Sequence, residues 1–145
     1  MFAKALPMIQ TIGSLKRLEM LRTMPELKDK LWENVDALQN GLKSRGFDIG
    51  DTNTCVTPVY LQGSIPEAMM LVNDLRENYH IFLSIVVYPV IPKGIILLRM
   101  IPTASHTLRD INETLDAFEA VREKLTSGTY LKIAAEKTVD MSEER

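Results

Sequence analysis

In the run G-I-I-L-L-R-M-I-P-T-A-S-H-T-L-R-D-I at Gly94–Ile111, one arginine interrupts a stretch that is otherwise apolar from Ile95 to Ile101. With the two-residue period of a strand, Ile95, Leu97, Arg99 and Ile101 share one face and Ile96, Leu98 and Met100 the other, so both faces read as buried. A guanidinium in such a place needs an anionic partner. Either a structural Asp or Glu supplies it, or the carboxylate of a ligand does, which suits arginine's planar, two-pronged donor geometry. The other reactive residue types offer less. Ser105, His106 and Asp110 are triad types, but packed together at a helix start they cannot easily form a relay, and capping accounts for two of them. His106 is expected to hydrogen-bond backbone there and lock the strand that carries Arg99. Cys55 is the single cysteine and His80 stands alone, so neither a disulfide framework nor metal-ligand spacing is present. Gly41, Gly46 and Gly50 lack the spacing and the following Lys-Ser/Thr of a phosphate loop.

The elements that must position Arg99 follow from periodicity. A helix from about Pro7 to Arg22 carries Met8, Ile12, Leu15, Leu18 and Leu21 at three- and four-residue spacing. Gly13 weakens it by about 1 kcal/mol relative to Ala and suggests close approach of another backbone. Thr23-Met24-Pro25-Glu26 reads as the capped start of a second helix with the stripe Leu27, Leu31, Val35, Leu38, Leu42, flanked by Trp32 and ended by Gly46. Phe47–Asn53 reads as a polar loop. Thr54–Leu61 is a strand whose Pro58 places it at a sheet edge. Ser64-Ile65-Pro66-Glu67 caps a third helix that buries Ala68, Leu71, Val72, Leu75 and Tyr79. Ile81–Val87 and Ile95–Ile101 are strands divided by a Pro/Gly turn. Thr107, with Asp110, caps the last helix, whose Leu108, Ile111, Leu115, Phe118, Val121 and Leu125 face the sheet.

The fold class is therefore α+β: two N-terminal helices, then a β-α-β-β-α unit with a small, mostly antiparallel three-stranded sheet covered by helices. The right-handed crossover makes the first two strands parallel and places the third, with Arg99, between them. Residues 1–128 form this domain, and residues 129–145 are a charged, aperiodic tail, mobile or docked by a partner.

The segment R-M-I-P-T-A-S-H-T before a helix resembles the C-terminal end of the alpha-oxoamine synthase family, pyridoxal-phosphate enzymes that condense an amino acid with an acyl-CoA and release carbon dioxide. The turn Y-P-V-I-P-K-G at Tyr88–Gly94 is similar to the family's P-x-V-P-x-G turn. Met1–Pro7 and Pro25–Asn34 are similar to the helical segment joining its two domains, so the likeness runs from the first residue to about Thr126. In the family, the arginine seven residues before the histidine holds the substrate carboxylate; the resemblance implies that role for Arg99. It implies that the Pro89–Lys93 turn shapes the acyl-CoA entrance, with Pro92 and Lys93 as cofactor-phosphate or cleft contacts, where Lys93 either meets a CoA phosphate or is a solvated turn lysine. His106 and Thr107 are structural residues near the site. Where many members carry a hydroxyl that reaches the cofactor phosphate of the neighbouring subunit, this chain has Ala3 and Lys4, and the Lys4 ammonium would replace that hydroxyl by charge.

The same resemblance implies what lies elsewhere. The Schiff-base lysine and the other anchors of pyridoxal phosphate belong to a large N-terminal domain, and the T-x-x-K-A/S-x-G type of motif does not occur here. The chain is thus expected to be a small domain that is inactive and free of cofactor by itself, and part of a homodimeric acyltransferase when complete. The rival expectation is a free-standing regulatory module that binds an amino acid without chemistry.

Composition is compatible with either. A chain of 145 residues with one cysteine fits a single domain in a reducing, cytoplasmic compartment. The net charge of -2 contains no basic stripe, which argues against nucleic acid. The apolar stretch Ile81–Ile101 would have to carry Pro89, Pro92, Lys93, Gly94 and Arg99 through a bilayer, which argues against a membrane span.

Overall fold

In a computed structural model of the protein, residues 5–135 are described. In chain order they form helices α1 (Met8–Thr23) and α2 (Pro25–Ser44), strand β1 (Thr57–Gln62), helix α3 (Ile65–Tyr79), strands β2 (Ser84–Val86) and β3 (Ile95–Met100), and helix α4 (Leu108–Thr126). A short helix, α5, follows at 129–135. The sheet order is β1-β3-β2, with β3 antiparallel to both neighbours. The α+β architecture and the central place of Arg99's strand thus match the sequence reading.

The turns show why the elements end where they do. Gly46 adopts φ 74°, so the Phe47 amide can reach back 3.0 Å to the Leu42 carbonyl and close α2. At the C-terminus of α3 it is His80 that takes the left-handed conformation, at φ 57°, and the Ile81 amide donates to the Leu75 carbonyl. Capping boxes start α3 at Ser64 with Glu67 and α4 at Thr107 with Asp110. Thr23 does not cap α2. It is the last residue of α1, its hydroxyl donates to the Glu19 carbonyl four residues back, and Met24 occupies the cap without a side-chain bond.

The core lies on one side of the sheet. Val59, Leu61, Ile96 and Leu98 meet Leu38 and Leu42 of α2, Leu71 and Leu75 of α3, and Leu115, Phe118 and Val121 of α4, all buried. Each such side chain contributes about 1.5–3 kcal/mol by leaving water. Gly41 serves this packing: a Cβ there would collide with a Leu115 methyl, so α2 and α4 approach closely at this point. Leu27 and Leu108, expected to face the core, are exposed, because each lies at the outer end of its helix.

The expectation that β3 is buried on both faces is corrected. Ile96, Leu98 and Met100 are buried, whereas Ile95 and Leu97 are half-buried and Arg99 and Ile101 are exposed. The described helices that bury apolar surface cover the first face, and none of them covers the second. The strands are also shorter than periodicity suggests. Thr52 and Thr54 turn their hydroxyls to the Val56 carbonyl, holding 52–56 as a turn ahead of β1. The loop at 47–53 is not wholly polar, since Phe47 and Ile49 are buried and Tyr60 donates its amide to the Asp48 carbonyl.

Two further differences concern the ends. No residue of α1 is buried, and Met8, Ile9, Leu15 and Leu21 are each more than 60% exposed. The packed body passes the Gly128 boundary: Tyr130 on α5 is 1% exposed, and its hydroxyl donates 2.6 Å to the Asp74 carboxylate of α3. The charged composition of the tail concealed this anchor because a single aromatic carries it.

Candidate functional site

Antiparallel register fixes what stands around Arg99. Pro58 of β1 and Ser84 of β2 are its cross-strand partners, and Leu97 pairs with Tyr60 and Val86. Side chains paired in this way project from the same face. The open face of the sheet therefore carries Pro58, Tyr60 and Gln62, then Ile95, Leu97, Arg99 and Ile101, then Ser84 and Val86. Arg99 is the sole charge on it, and no Asp or Glu forms an ion pair with Arg99 among the described residues. Its Nε–H donates to Ser84 Oγ at 3.0 Å. The structural ion-pair reading of Arg99 has no support in this geometry, whereas a guanidinium aimed out of an apolar face can donate to an external carboxylate.

The segment leaving β3 is held by a set of hydrogen bonds. His106 Nδ1 accepts from the Thr103 amide at 2.9 Å, as the sequence reading expected of a histidine at a helix start. Asn34 of α2, fully buried, donates through Nδ2 to the Thr103 carbonyl at 2.9 Å and the His106 carbonyl at 2.8 Å. Thr107 then caps α4: its amide and its hydroxyl both donate to Asp110 Oδ2, at 2.7 and 2.8 Å. Those hydrogen bonds, backbone first, hold the Asp110 carboxyl below its ordinary range. Asn34 and Ser84 were not among the expected site residues. A polar residue beside Val35 in the α2 stripe and the lone hydroxyl in Ile81–Val87 were the available signals, but only the register shows what they touch.

The remaining candidates are not gathered at Arg99. Pro92 and Lys93 lie in the turn before β3, and the strand from Ile95 to Arg99 alone spans about 13 Å. Lys93 is exposed and its ammonium sits 5.0 Å from the centre of the Tyr88 ring. Ala3 and Lys4 fall outside the described residues. A groove of about 460 Å³ opens beyond the end of β3, between Phe82, Ile101, His106 and Asp110; Arg99 does not line it. Among the described residues no group of His, Cys, Asp or Glu could hold a metal ion, and no helix is long and apolar enough to cross a membrane.

A helix-covered antiparallel sheet with Arg99 seven residues before His106, and a Pro/Gly turn leading into the strand, defines a recognisable class. The chain is similar to a C-terminal fragment of enzymes of the alpha-oxoamine synthase family. It is 71% identical, over 143 residues, to the cysteate-C-fatty acyltransferase of Capnocytophaga ochracea, a match covering 99% of this chain and 34% of that protein. It is 36% identical over 125 residues to the 8-amino-7-oxononanoate synthase of Thermoanaerobacter pseudethanolicus, covering 86% of this chain and 31% of that one. Among solved structures, the serine palmitoyltransferase of S. paucimobilis with a bound PLP-myriocin aldimine superposes with a TM-score of 0.76 at 27% identity, over 88% of this chain and 32% of that chain. No protein-family model matches the chain. The chain thus spans about a third of the length of the curated relatives it matches.

Proposed function

We propose that this chain is the small domain of a pyridoxal-phosphate-dependent acyltransferase that condenses cysteate with a fatty acyl-CoA, and that Arg99 holds the amino acid's carboxylate. The observation that carries the reading is Arg99 itself, a charge on the otherwise uncharged open face, directed outward without an acidic partner among the described residues. The amino acid and the fatty acyl group are taken from the Capnocytophaga ochracea relative.

The side chains of the open face do not fit the cofactor's anchors. They include no lysine for its aldehyde and no carboxylate for its ring nitrogen, so those groups have to come from outside this face. When bound, pyridoxal phosphate supplies an electron sink for the amino acid's α-carbon. Arg99 then fixes the carboxylate and so orients the bond that is to break. In the overall reaction the α-carbon forms a bond to the acyl carbonyl carbon, the coenzyme A thiol departs, and the bond from the α-carbon to the carboxylate breaks to release carbon dioxide. The exposed apolar side of α1 supports packing against the missing larger part or a second subunit. The turn at Pro92 and Lys93 borders the acyl-CoA entrance in this reading, and the complete protein acts as a homodimer. Similarity over 99% of the chain to an acyltransferase favours this over a free-standing amino-acid-binding module.

The test uses the full-length protein loaded with pyridoxal phosphate, supplied with palmitoyl-CoA and one amino acid at a time. Free thiol and carbon dioxide should appear together, with kcat/KM for cysteate above that for serine, alanine or glycine by at least about ten-fold. Thiol release with none of them contradicts the proposal.

A further inference from the structure

Arg99 and Ser84 stand opposite each other on β3 and β2. The Ser84 hydroxyl accepts Arg99 Nε–H at 3.0 Å, and its own proton is directed to the Arg99 backbone carbonyl at 3.4 Å. A serine hydroxyl has one proton and two lone pairs. With the proton turned to the carbonyl, a lone pair is left facing Nε. On the other flank the cross-strand partner is Pro58, whose side chain has no polar atom to compete.

A carboxylate can dock on a guanidinium side-on, through Nε and one Nη, or end-on, through both Nη nitrogens. Ser84 occupies the side-on edge. We infer that Ser84 is a positioning residue that holds the Arg99 guanidinium so that its two Nη nitrogens meet a substrate carboxylate end-on. The inference rests on the assignment of Arg99 to the substrate carboxylate and goes beyond it by naming what aims the guanidinium. Arginine is rich in rotamers, and an exposed one has little else to hold it. Anchoring Nε removes that freedom before the ligand arrives, which strengthens binding without adding a contact to it.

The first measurement uses this chain, labelled with 15N. The Arg99 Nε–H resonance, identified by its loss in Arg99→Lys, should exchange slowly with water and shift in Ser84→Ala but not in Ser84→Thr, which keeps the hydroxyl on a strand-compatible side chain. A fast-exchanging resonance indifferent to Ser84→Ala overturns the inference.

The second measurement uses the full-length enzyme. Ser84→Ala should raise the amino acid KM by about three- to ten-fold with a smaller change in kcat, and Ser84→Thr should restore it. Arg99→Lys is run beside them. If Arg99→Lys raises the KM and Ser84→Ala does not, the positioning role fails and the carboxylate assignment stands. If neither variant changes the KM, the assignment of Arg99 itself fails. An increase with Ser84→Ala but not with Arg99→Lys also overturns the inference, because Ser84 would then act without Arg99.

Discussion

Asn34 ties α2 to the segment that leaves β3, and replacing it should loosen that segment measurably. Its Nδ2 hydrogens reach two backbone carbonyls, of Thr103 and His106, while its Oδ1 is buried without a partner among the described residues. The opposite amide orientation would press an oxygen against both carbonyls, so the donor assignment follows from the network. In Asn34→Ala both carbonyls lose a donor, at about 1–1.5 kcal/mol each. Removing the unpartnered Oδ1 returns part of that, leaving a net loss of about 1.5–2.5 kcal/mol. Asn34→Asp keeps the shape but replaces the donor with an acceptor, so at neutral pH it should lose about 3 kcal/mol or more. Burial against two carbonyls raises the folded-state value of that carboxyl, so the deficit should shrink as pH falls from neutral toward its ordinary value near about 4, where the protonated group regains one donor. Urea unfolding of the chain gives the free energies, and amide exchange at Ala104–His106 should accelerate in both variants. The reasoning fails if Asn34→Ala unfolds at the wild-type midpoint with unchanged exchange, or if Asn34→Asp is no worse than Asn34→Ala at neutral pH.

Three other outcomes are expected. Tyr130→Phe should cost about 1–2 kcal/mol by removing a hydrogen bond to Asp74, and Tyr130→Ala about 3–5 kcal/mol, both read from urea midpoints. The same cluster should narrow the stable pH range at both ends. Burial pushes the Asp74 carboxyl up, but hydrogen bonds from Lys124, Tyr130 and Asn78 outweigh it and leave it lowered, so its contribution is present above the ordinary value of 3.8 and lost as pH falls through the folded value. Burial, then the bond to Asp74, raises the Tyr130 hydroxyl, so its contribution is present below the ordinary value of 10.0 and lost as pH rises past it; urea midpoints across pH check both limbs, and Tyr130→Phe should flatten the alkaline one. The isolated chain should exchange its α1 amides rapidly or self-associate through that helix, whereas slow exchange over 8–21 in a strict monomer would contradict an unpartnered helix.

Much of the fold was legible because local signals and tertiary packing agree here. Ser64 and Thr107 cap where their sequence contexts say they should, Pro58 lies on an edge strand, and the crossover rule places Arg99 on the central strand. The misreadings arise where burial was inferred from apolarity alone. Ile95–Ile101 reads as buried on both faces, but in this chain only one face has helices over it, so an arginine that would require an acid in a sealed core stands in the open. α1 has a core-like stripe and no core beneath it. At the candidate site the arginine and its motif were legible, while Ser84 and Asn34 were not, because register and the approach of α2 decide what they touch. Tyr130 was missed for the opposite reason, a single buried aromatic within a segment of polar composition.

The central claim is that Arg99 serves a ligand and not the fold, and one paired measurement on Arg99→Ala addresses it. In this chain the substitution should lower stability by no more than about 1 kcal/mol, as for an exposed side chain without an acidic partner. In the full-length, cofactor-loaded protein, titration with cysteate should show about ten- to a hundred-fold weaker binding, equivalent to losing about 1.5–3 kcal/mol of charge-assisted hydrogen bonding. Arg99→Lys should recover little of it, since a point charge lacks the two-pronged contact. Cysteate bound by the Arg99→Ala protein with wild-type affinity, or a chain unfolded by the substitution, would contradict the account.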